Sequence, residues 1–238
     1  MLAGKSDDRV EEHNAICKKL SQFLDDKSVA YWRSRLDQIM SISGYATKFT
    51  RVKEASSKEE LYDYLAEIRY ALLFKSLDFE VTMEPEGDKG PDLKITKDDI
   101  VAFVEVTRFR PTKELQNTYN MSQSPEGEIE VEEYASVDKC IQKIYSKVTG
   151  KFNQLKDYYG ILALWNDSDE IDFEDILPSI KNIKSITDES VVIPDNLNLI
   201  VFASFEYLDR QFHCYKISTK LDEKLETLSS GHYCPVNS

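Results

Sequence analysis

Apolar positions recur at helical spacing through the first forty residues. Val10, Ile16, Leu20, Phe23 and Leu24 form one stripe, and Tyr31, Trp32, Leu36, Ile39 and Met40 form a second. Ser28 is placed to cap the second helix and Gly44 to end it, so the pattern predicts a helical pair over 7–43. The stretch from Tyr45 to Ser57 has a mixed pattern and reads as a connection. A better-marked helix follows. Ser57 with Glu60 three residues later makes a capping box, and Leu61, Leu65, Ile68, Leu72 and Leu73 carry the stripe to about Leu77.

The pattern then shortens to strands over Phe79–Met83, Leu93–Thr96 and Ile100–Val106. The last is almost continuously apolar, as in a strand buried on both faces. Glu84–Gly90 is rich in turn formers, and Lys97-Asp98-Asp99 is a hairpin turn. Residues 111–133 form a polar loop of the kind that serves function more often than structure. Beyond it the pattern predicts a helix over Ser136–Tyr158, a buried strand over Tyr159–Trp165 and a helix over Asp172–Lys184. A strand pair over Asn198–Phe205 and Gln211–Ile217 and a short helix over Lys220–Leu228 complete the chain. The central order of helix, three strands, helix and strand predicts an α/β chain, a mixed hairpin sheet with helices on both faces.

Composition supports a packed core: of 238 residues, 41% are hydrophobic and 11% aromatic, which argues against general disorder. The formal net charge of -13 argues against a general nucleic-acid coat but leaves room for a local basic groove. Cys17, Cys140, Cys214 and Cys234 form no CxxC pair, so a reduced, cytoplasmic protein is expected. No apolar run reaches the length of a membrane span, and the N-terminus shows no signal core. His213-Cys214 and His232-Tyr233-Cys234 match no strong zinc spacing, so zinc is not expected. There is no glycine-rich phosphate loop, nucleophile elbow or HExxH, which leaves nucleotide hydrolases, serine hydrolases and zincins without support.

Two acids carry the chemistry. Asp92 follows Gly90-Pro91 at the start of one strand, and Glu105 lies in Phe103-Val104-Glu105-Val106 on the next. Their spacing suits a hairpin that returns to the same end of a sheet. An unpaired charge among those apolar neighbours would be costly, so the pair reads as an acidic site rather than as solvent-facing strand ends. Carboxylates on neighbouring strands can hold a hard divalent cation. Such a cation can polarise a phosphodiester and activate water.

A helix with an acid at Glu67, then Pro91-Asp92, then an apolar strand ending in Glu105 resembles the PD-(D/E)xK nuclease superfamily over about residues 57–166. The resemblance implies a restriction-endonuclease-like αβββαβ core, with 1–50 as an N-terminal helical extension and 51–238 as a nuclease-like α/β domain. It implies that Asp92 and Glu105 bind Mg²⁺ or Mn²⁺ and serve catalysis. Glu67 would be the helix acid beside them, and the Val106 carbonyl a further metal contact. The bland reading of Glu67 is a surface helix charge paired with a residue such as Lys75.

Thr107 departs from the pattern, because the superfamily carries a water-positioning lysine there. Similar proteins relocate it to a neighbouring helix. Lys143, Lys147, Lys151 and Gln154 share one face of the helix expected next, within a run where five lysines face one acid, Asp138. Lys151, or else Lys147, is the candidate substitute. Lys143, Lys147, Gln154, Arg108 and Arg110 are candidate phosphate contacts, although a solvated helix face is the plainer reading of the lysines. The expected function is a metal-dependent nuclease acting on DNA or RNA, DNA foremost, in a homodimer-capable protein with no membrane association. The alternative is a catalytically degenerate fold serving as a binding or scaffold module.

Overall fold

A computed structural model describes residues 4–87, 90–110, 160–167, 197–204 and 212–216. The chain is a mixed α/β protein that divides into two compact units, Met1–Phe103 and Val104–Ser238.

The first unit holds five helices. They are α1 (Gly4–Leu20), α2 (Asp26–Arg33), α3 (Leu36–Ile39), α4 (Tyr45–Glu54) and α5 (Lys58–Ser76). Two strands, β1 (Glu80–Met83) and β2 (Leu93–Lys97), follow, and the unit ends within β3 (Ile100–Phe109). The expected helical pair is three helices. Asp25, not Ser28, caps α2, its carboxylate accepting from the Ser28 amide at 2.7 Å. Aspartate here supplies the acceptor that an orphan helix amide needs. Ile16 and Leu20 are buried as their stripe requires, whereas Val10 is exposed.

The Tyr45–Ser57 stretch is not a plain connection but mostly helix α4. Three β-branched residues, Thr47, Thr50 and Val52, weaken its intrinsic propensity. Burial of Phe49 and Val52 makes up the difference. Gly44 begins it at φ 83, and a Cβ there would lie 2.2 Å from the Met83 carbonyl oxygen. Glycine therefore allows the start of α4 to lie against the end of β1. There the Met83 amide donates to the Ser43 carbonyl at 2.8 Å, and Ser43 bridges Thr82.

Helix α5 begins as expected: the Ser57 hydroxyl accepts from the Glu60 amide at 3.2 Å. The reciprocal arm differs, because the Glu60 carboxylate takes the Ser56 amide at 2.7 Å. Leu61, Leu65, Ile68, Leu72 and Leu73 are buried, and so are Ala66, Tyr70, Ala71 and Phe74. Burial on more than one face makes α5 the central helix of its unit.

Strands β1 and β2 pair antiparallel, Glu80 opposite Thr96 through Met83 opposite Leu93. A two-residue turn, Asp98-Asp99, leads into β3, with Asp98 at φ 55. Aspartate tolerates that left-handed conformation better than most residues. Within this unit the strand order is β1-β2-β3.

The second unit continues β3 and adds β4 (Gly160–Asn166), β5 (Leu197–Ser204) and β6 (Phe212–Lys216), in the order β3-β4-β5-β6. β4 and β5 are parallel, and β5 and β6 are antiparallel. Every residue of β4 is buried, as both faces of a parallel strand usually are. The helices expected over 136–158, 172–184 and 220–228 and the 111–133 loop lie outside the described residues. Among the described residues, no helix is long and apolar enough to cross a membrane.

Candidate functional site

The polar centre of the first unit is built around a lysine. Tyr45, Lys48, Phe49 and Val52 share one face of α4, and that face is inward. Lys48 is only 1% exposed. Its ammonium contacts the carboxylates of Glu67, on α5, and Glu84, just after β1. It also lies 5.5 Å from the centre of the Tyr64 ring. One turn further along α4, the Arg51 guanidinium reaches the same Glu84 oxygen at 3.0 Å.

Asp92 joins this group through the backbone. The Glu84 amide donates to the Asp92 carbonyl at 2.7 Å, which ties the residue after β1 to the residue before β2. Glu84 takes a left-handed φ of 48, an unfavourable conformation for a glutamate, held here by its surroundings.

The electrostatics are those of a crowded site. Burial raises the Glu67 carboxyl, the Asp92 charge raises it further, and Glu84 adds to both. Lys48 opposes them, and the net effect pushes Glu67 up to about 8. Burial alone would lower the Lys48 ammonium, but Glu67 and Glu84 outweigh it and hold its pKa above the ordinary lysine value. Lys48 thus behaves as an ion-pair partner should, while Glu67 does not. Burial and the neighbouring acids both work against the charged form of Glu67, and Lys48 offsets them only in part. On the rim, the Tyr64 hydroxyl donates to Glu60 at 2.9 Å. Burial, then Glu60, pushes the phenol up to about 12.

The residues expected from sequence fall as follows. Glu67 and Asp92 belong to this group, and Glu67 is paired with Lys48 rather than displayed on the helix surface. Asp92 is half-buried. Glu105, Val106 and Thr107 lie on the part of β3 in the second unit, all buried, with Glu105 fully so. Arg108 is also buried, and its guanidinium pairs with Asp167, whose amide donates to the Phe109 carbonyl at 3.0 Å. Arg110 is exposed just beyond the strand. Lys143, Lys147, Lys151 and Gln154 lie outside the described residues. Sequence reasoning missed Lys48, Arg51 and Glu84. The available signal for Lys48 was a lysine on the apolar stripe of an amphipathic segment.

Chemically, the group offers hard oxygen donors beside a fixed positive charge. Among the described residues, no group of three or more His, Cys, Asp or Glu side chains is arranged to hold a metal ion. No family model, curated protein or solved structure matches the chain.

Proposed function

We propose that the chain is a divalent-metal-dependent nuclease that hydrolyses phosphodiester bonds in DNA or RNA on a restriction-endonuclease-like core. The observation that carries this reading is the crowding of Asp92 and Glu67, in which burial and like charge make Glu67 hard to ionise. A carboxyl whose charged form is strongly disfavoured by burial and a like charge is a candidate for function. Magnesium binds through one or two carboxylates while keeping waters and substrate oxygens, so Mg²⁺ or Mn²⁺ is the cation this reading expects. When bound, the metal would lower the pKa of a coordinated water and offset charge on the phosphate.

The chain's own groups divide the remaining work. The Glu84 amide fixes the Asp92 backbone, and Lys48 orients Glu67. Glu105 and the Val106 carbonyl keep the metal-binding roles that the resemblance implies. Lys151 or Lys147 keeps the water-positioning role, and Lys143 and Gln154 that of phosphate contacts. Arg110, exposed, suits phosphate contact better than Arg108, which Asp167 engages. The test is cleavage of DNA and RNA by purified protein with Mg²⁺ or Mn²⁺. Cleavage that Asp92→Ala abolishes supports the reading; no cleavage, or cleavage that Asp92→Ala leaves intact, ends it.

A second reading has its own support. The Lys48 ammonium already neutralises part of the acid group, and Thr107 stands where the resemblance expects lysine. Both features suit a non-catalytic binding or scaffold module. Calorimetric titration with Mn²⁺ separates the two: the scaffold reading expects no heat that depends on Asp92.

A further inference from the structure

We draw no further inference here: the strongest candidate, the buried polar side chains of Thr107, Arg108 and Asn166 near the ends of β3 and β4, contains the Arg108–Asp167 pair already described, and nothing among the described residues shows what ligand or partner would meet it.

Discussion

Each unit buries a cation against acid, and the two arrangements differ in how charge is balanced. In the second unit, Arg108 meets Asp167 at the end of β3, and the Asp167 amide closes onto the Phe109 carbonyl. The side chain of Asp167 keeps 15% of its exposure, so one partner still reaches water. In the first unit, Lys48 meets Glu67 and Glu84, Arg51 meets Glu84, and the Asp92 charge raises the Glu67 carboxyl further. Removing one partner of a buried pair leaves the other charge uncompensated, and the penalty grows as that charge is kept from water. Burial of the cation is common to both, so the partner's access to water and the crowding of acids around Glu67 separate them.

The sharpest way to break this contrast is to remove each cation. Lys48→Met strands buried acids and is expected to cost about 3–5 kcal/mol. Thermal unfolding would show this as a fall of roughly 6–20 °C in Tm. Adding Glu67→Gln should recover a large part of the loss, a coupling that a double-mutant cycle measures. Arg108→Met is expected to cost less, about 2–3 kcal/mol, because Asp167 can turn to water. Equal losses would remove the distinction.

The next effect is a pH dependence. The folded pKa of Glu67, about 8, lies above its ordinary value of 4.5. The folded state therefore holds a proton that the unfolded state has released, and stability falls as pH rises between those values. The fall should be on the order of 5 kcal/mol across that window, and Glu67→Gln should flatten it, as read from urea unfolding at several pH values. Lys48 does not interfere, since its raised pKa acts only at or above the ordinary lysine value. A last variant sharpens the geometry. Gly44→Ala places a Cβ 2.2 Å from the Met83 carbonyl oxygen at an unfavourable φ, so backbone must shift and the cost should be roughly 3 kcal/mol in the same measurement.

What the sequence made legible was local. The α5 cap, the α5 stripe, the turn at Asp98-Asp99 and the apolar run of β3 are each written within a few residues. The strand pair β5 and β6 was legible for the same reason. The Lys48 group was only half legible. Asp92 and Glu67 could be named, but Lys48 lies in a segment whose β-branched residues obscure its helix. Glu84 looked like one acid among several in a turn-rich loop. Its role depends on a backbone bond to Asp92 and on a lysine from another helix. The Arg108–Asp167 pair spans 59 positions, and nothing local foretells such a partner.

The small bridge between Ser43 and Thr82 has a consequence for solution behaviour. β1 is an outer strand, and an uncovered outer strand is a template for pairing with another molecule. The Met83 amide is instead occupied by the Ser43 carbonyl, and the start of α4 lies against it. A chain cut at residue 50 would lose Ser43 and Lys48 together. It would bare a strand edge and leave Glu67 and Glu84 without their lysine, so aggregation is the first symptom to expect from that truncation.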